Sequence, residues 1–140
     1  MRSQLIFLPA LAMVALTIGV WLRMYANRIG EMKRERIHPQ AVATSAQMAA
    51  RIHDTRAADN FRNLFELPVL FYLALVVAAL SAQVNAVTLA LAWAFVVLRI
   101  VHSAIQCGYN KVMHRFRAYL FGGLVLWALW GVLAVGLLRG

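Results

Sequence analysis

The chain has 140 residues, 63% of them hydrophobic and 14% charged. A soluble domain is nearer half apolar and a quarter charged, so this balance excludes an ordinary soluble fold and points to a membrane. The formal net charge of +9 does not indicate nucleic acid, because the basic residues cluster between apolar runs rather than forming a patch of their own, and the single cysteine excludes an intramolecular disulfide.

A helical span needs about 20 mostly apolar residues. Ser3–Leu22 is free of charge, and the first span is expected over about 4–26. The run is longer than the apolar part of a signal peptide and closes on "WLRMY", an interfacial cluster, so it reads as a retained span. A connection of about 27–58 follows, opening with "NRIGEMKRERIHPQ". Its charges alternate in sign, and Gly30 and Pro39 break it. The stretch "AVATSAQMAARIHDTRAADNFRN" then reads as one helix running into the second span, about 60–80. Pro68 is expected to bend that helix and free the Leu64 carbonyl.

Leu67–Leu98 carries no charge. As one helix it would run about 48 Å, too long for a hydrocarbon core of about 30 Å. It divides at its most polar segment, "SAQVN", into the second span and a third of about 85–107. Cys107, at the end of the third span, reads as a small buried hydrophobe rather than a nucleophile. The fourth span, about 116–138, carries Gly122, Gly123, Gly131 and Gly136, which permit close helix approach. Trp127 and Trp130 lie mid-span and are expected to pack on a neighbouring helix or lipid. The fold class predicted is an all-α integral membrane protein, a four-transmembrane-helix bundle in one domain, 1–140.

Six basic residues, Arg28, Lys33, Arg34, Arg36, Arg51 and Arg56, lie between spans one and two, and Lys111, Arg115 and Arg117 between spans three and four. The positive-inside rule then places both basic connections in the cytoplasm and both termini on the opposite side.

Polar residues inside spans are costly and are functional candidates by default. Asp59, Arg62, Asn63 and Glu66 fall at i, i+3, i+4 and i+7, one helical face, with Arg62 and Glu66 spaced for an ion pair. Arg99, His102, Gln106 and Tyr109 fall at i, i+3, i+7 and i+10, a second stripe. Arg115 and Tyr119 stand one turn apart at the start of span four. These stripes predict a polar pocket at the cytoplasmic ends of three helices, suited to a small zwitterionic or polyanionic molecule meeting an apolar one. Arg117 reads as a membrane anchor. His102 and His114 lack carboxylate or cysteine partners at ligand spacing, so no metal site is expected.

At these residues the chain resembles the membrane-associated eicosanoid and glutathione metabolism family, abbreviated MAPEG, in a bacterial-type form. The arginine-asparagine pair followed by glutamate and proline appears as Arg62, Asn63, Glu66 and Pro68. The third-span arginine and polar ring appear as Arg99 and His102, and the fourth-span arginine and tyrosine as Arg115 and Tyr119. The chain departs from the family at Asp59, often an arginine, at Gln106, often a tyrosine, and at Phe116, a serine in the prostaglandin synthase.

The resemblance implies a homotrimer binding glutathione as co-substrate between subunits. Arg62, Asn63 and Glu66 would hold its charged ends, His102 and Tyr119 would add hydrogen bonds, and Arg99 would be a further binding residue. Arg115 would be the catalytic residue, favouring thiolate over thiol. The function implied is a glutathione-dependent transferase or peroxidase acting on lipophilic small molecules, in contact with membrane lipid, in a bacterial inner membrane. The alternative is a non-catalytic lipid- or ligand-binding membrane scaffold of the same fold. A small multidrug-type transporter is disfavoured, since the first span holds no acidic residue.

Overall fold

A computed structural model describes residues 2–140. The described chain is helical: α1 (Phe7–Arg34), α2 (Ser45–Arg51), α3 (Arg56–Asn63), α4 (Leu67–Leu80), α5 (Ala86–Cys107) and α6 (Val112–Arg139). Four units, α1 with its lead-in turn, α3 with α4, α5, and α6, are long and apolar enough to cross a membrane. The protein is an all-α, four-helix integral membrane protein.

The long helices overrun the apolar stretches of the sequence. α1 continues past residue 26 to Arg34 and runs through Gly30, which does not break it as expected: the glycine is isolated among the good helix formers Arg28, Glu31, Met32, Lys33 and Arg34, and one glycine costs only about 1 kcal/mol. It ends in a Schellman arrangement: Arg36 takes a left-handed conformation (φ 53°), while its N–H reaches the Lys33 carbonyl and Ile37 N–H that of Met32. Likewise α6 begins at Val112, ahead of residue 116.

The loop between α1 and α3 is built around one buried acid. Glu31, 4% exposed, accepts the backbone N–H of His53 at 2.7 Å and of Asp54 at 3.2 Å, and meets His53 Nδ1 at 2.9 Å. These bonds draw His53 and Asp54 out of helical conformation. The expected continuous helix is therefore two, α2 with its Thr44–Gln47 capping box and α3, with an extended joint between them. Asp54 in turn holds Arg56 through both oxygens, at 2.9 and 3.0 Å. That hydrogen-bonded ion pair lowers the Asp54 carboxyl pKa below the usual carboxylate range.

Pro68 does not bend a continuous helix. The helix ends at Asn63, the chain turns through Leu64–Glu66, and Pro68 sits in the first turn of α4, where its missing N–H costs nothing. The α4–α5 connection forms at "SAQVN" as expected: Asn85 caps α5 by accepting Val87 and Thr88 N–H, with Thr88 answering as a capping box.

Within the bundle, helices associate through shape rather than hydrophobic drive. Phe71 of α4 stacks on Phe95 of α5 at 4.5 Å. Met13, Leu75, Leu126 and Leu133 are wholly or almost wholly buried around that pair. Gly122 lets α6 approach α5, where an added Cβ would already touch Leu98. Trp130 packs against this core, whereas Trp127 faces outward.

Candidate functional site

At the loop end of the bundle, three helices meet around a cavity of about 240 Å³ lined by Asn63, Glu66, His102, Arg115, Phe116 and Tyr119, with Val112 at its edge. Each helix delivers its residues for a local reason. α3 ends at Asn63, and the turn that follows exposes Glu66. α5 presents Arg99, His102 and Gln106 on one buried stripe. α6 starts early enough to bring Arg115, Phe116 and Tyr119 beside them.

Arg99 is 1% exposed. Its Nη2 donates to the Asn63 backbone carbonyl at 3.2 Å, and its guanidinium lies 5.9 Å from the centre of the Tyr119 ring. Its Nε and Nη1, like Nδ1 of the 2%-exposed His102, are buried without a hydrogen-bond partner in the chain. The two free Arg99 donors sit on a fixed cation and favour an anionic or acceptor-rich group beside them, whereas His102 Nδ1 donates or accepts according to its tautomer. The His102 ring also packs on Tyr119, 5.8 Å centre to centre. Tyr119 thus bridges the His102 and Arg99 side chains.

Asn63 is gripped twice. Arg99 holds its carbonyl, and its side-chain Nδ2 donates to Gln106 Oε1 at 3.1 Å. This leaves Asn63 Oδ1 as an acceptor at the cavity wall. Arg115 Nη1 donates to Asn110 Oδ1 at 2.9 Å, so one edge of its guanidinium is steadied and the other donors remain for a ligand. The chemical content is a cation, a carboxylate, an amide acceptor, an imidazole and a phenol around a small polar space with an apolar rim.

Five residues expected at the site thus line one cavity, with Arg99 directly behind it. Arg62 does not join them. It is exposed and lines a separate cavity of about 410 Å³, with Arg28 and Asp59, on the side of α3 facing the loop. The expected Arg62–Glu66 ion pair is absent among the described residues, because the helix that would have set them one turn apart ends between them. Tyr109 also leaves its stripe: α5 stops at Cys107, and Tyr109 turns outward to meet His114 Nδ1 at 2.9 Å. Cys107 is half-buried rather than fully buried, its sulfur 3.6 Å from Asn60 Nδ2.

Sequence reasoning missed Gln106 as the partner of Asn63, Asn110 as the support of Arg115, and Glu31 as the anchor of the loop. Gln106 was legible only as a member of the α5 stripe. Nothing in the local sequence around Glu31 signals its partners, which lie some 20 residues on, whereas Asn110 meets Arg115 five residues away once the chain turns into α6. Among the described residues no three His, Cys, Asp or Glu side chains gather as a metal-binding group.

The model of the MAPEG family matches residues 6–135 of the chain. No curated protein and no solved structure matches it.

Proposed function

Because the chain belongs to the MAPEG family, we propose that it is a membrane-bound, glutathione-dependent transferase or peroxidase acting on lipophilic electrophiles. The observation that carries this reading is the convergence of Asn63, Glu66, His102, Arg115 and Tyr119, from three separate helices, on one cavity. Glu66 suits the ammonium of the glutamyl end of glutathione, and Asn63 Oδ1 a peptide N–H. The buried Arg99 donors suit a carboxylate or peptide carbonyl, and His102 offers a further polar contact beside them. Arg115 stands at the mouth, where its charge favours loss of the thiol proton to solvent. The thiolate then attacks the electrophile, forming the carbon–sulfur bond as the leaving group departs with its electron pair; with a peroxide it forms an S–O bond as the O–O bond breaks, the other oxygen leaves as the alcohol, and a second glutathione converts the sulfenic acid to the disulfide and water. Phe116 gives the apolar partner a wall beside the sulfur.

A cavity of about 240 Å³ is smaller than the usual ligand site of about 300–1,000 Å³, which supports a site completed by a second copy. α4 supplies the surface for it. Val69, Leu73, Val76 and Leu80 are exposed at successive spacings of four, three and four, a heptad seam with leucine and valine alternating. Leucine with a β-branched residue in that pattern favours three or more strands over two. The reading is a homotrimer about α4, with the basic loop in the cytoplasm.

The test is glutathione titrated onto detergent-purified protein, following thiolate absorbance in the ultraviolet at neutral pH, with Arg115→Ala alongside. A saturable thiolate signal is expected from the parent. A favourable cation lowers a thiol pKa by about 1–2; for a free thiol of pKa about 8.5 the variant should therefore lose about eight- to twenty-five-fold of its thiolate at neutral pH. Glutathione bound with no thiolate signal in the parent would favour the non-catalytic scaffold; no binding at millimolar glutathione would remove glutathione as the ligand.

A further inference from the structure

α1 and α5 do not close on each other along their whole length. Between them runs a cavity of about 670 Å³. Its walls are apolar for most of their extent, with Leu16, Val20 and Leu22 on α1 and Ile100 on α5. The space exists because Ala15, Gly19 and Ala104 carry too little side chain to fill it; a Cβ added at Gly19 would meet nothing within 4 Å. From Ala15 to Ala26 the groove follows about 17 Å of helix.

The loop end of the groove is different in kind. Arg23, Ser103 and Cys107 line it there, and Arg23 is its one charged lining residue. The hydroxyl and thiol are tied down: Ser103 Oγ donates to Asn60 Oδ1 at 3.2 Å and Asn60 Nδ2 to Cys107 Sγ at 3.6 Å. Asn60 is wholly buried, so this end of the groove is fixed. Arg23 makes no ion pair among the described residues, and the nearby Asp54 is occupied by Arg56.

From this geometry we infer that the α1–α5 groove binds a single-chain amphiphile with an anionic head, of the fatty-acid class. The chain lies against the Gly19 wall and the carboxylate meets the Arg23 guanidinium, which offers a bidentate pair of donors. One uncompensated cation calls for one negative charge. A seam between two neighbouring helices, whose axes lie about 8–10 Å apart, is one chain wide. Bilayer lipid is as apolar as the groove wall, so burial of the chain does not by itself select a ligand; the open groove admits the chain, and the head contact decides which amphiphile is retained. The groove lies on a different face of α5 from His102 and Gln106, and its occupancy does not depend on the glutathione reading.

The experiment uses full-length protein in detergent, with oleate as the probe, and counts bound ligand by native mass spectrometry. One oleate per chain is expected on the parent, and methyl oleate, which lacks the charge, is not retained. Arg23→Gln removes the head contact, and Gly19→Leu fills the groove from a position with open space; each should weaken oleate retention at least ten-fold with an unchanged circular dichroism spectrum. Arg23→Lys, which keeps the charge but not the fork, should fall between. The proposal is overturned if both variants retain oleate as the parent does, if methyl oleate binds equally, or if palmitoyl-oleoyl phosphatidylglycerol binds and oleate does not. It is also overturned if Gly19→Leu changes the size of the ligand-free assembly, which would make the groove a contact between copies.

Discussion

Replacing Gln106 by leucine should loosen the ligand-binding edge of the cavity without altering its walls. Gln106 is 2% exposed, and its Oε1 is the acceptor for Asn63 Nδ2 at 3.1 Å. Leucine has a similar volume and no acceptor. A donor left unpaired in a fully buried position costs about 1–3 kcal/mol. Asn63 is only half-buried and can turn toward the cavity, which puts the cost at the low end, about 1 kcal/mol. Spent on ordering Asn63 when ligand binds, that is about a five-fold weaker affinity for glutathione. The assay is the glutathione titration, run as a double-mutant cycle with Asn63→Ala. Residues in direct contact should show a coupling of about 1 kcal/mol. Simple additivity of the two variants, or parent-like affinity in Gln106→Leu, would refute the role assigned to the amide pair.

Gly108→Ala should destabilise the α5–α6 corner by about 1–3 kcal/mol, because an added Cβ would meet the Ala104 carbonyl oxygen at 2.8 Å; detergent thermal unfolding would show it, and an unchanged midpoint would mean the corner is not tight. The Asp54 carboxyl is held below its ordinary pKa by Arg56. Its contribution to the loop is therefore fully present above about pH 4 and is lost as pH falls through the lower, folded value. Protease nicking between α2 and α3 should rise in that acidic window for the parent, whereas Asp54→Asn should be nicked readily at neutral pH. Leu73→Lys places a charge in the α4 seam, and chromatography with light scattering should find the detergent-solubilised assembly reduced to monomer; an assembly of unchanged size would show that α4 is not the joint.

Much of this could be read in the chain without coordinates. Charge-free stretches separated by basic or polar breaks are a one-dimensional signal, since a bilayer demands an uninterrupted apolar length. The need for a division followed from length and its place, "SAQVN", from polarity, and it is where Asn85 caps α5. Helical spacing found the α5 stripe of Arg99, His102 and Gln106. The same spacing failed at Arg62 and Glu66, and at Tyr109, because periodicity places residues on one face only while the helix continues. Both helices end inside the stretch to which the rule was applied.

What the sequence alone determined is the number of spans, the Arg99–His102–Gln106 stripe of α5 and the family motif, all of which are local properties of composition and spacing. Tertiary structure decided where each helix stops and what fills the space between helices. Glu31 divides the loop helix by taking two backbone N–H groups some 20 residues further along the chain. Arg99 and Gln106 orient Asn63 from a different span. The α1–α5 groove is the space that Ala15, Gly19 and Ala104 leave when their helices meet. Such features depend on hydrogen bonds and voids between distant segments. No local window holds both halves of them, so they arise only when the chain packs against itself.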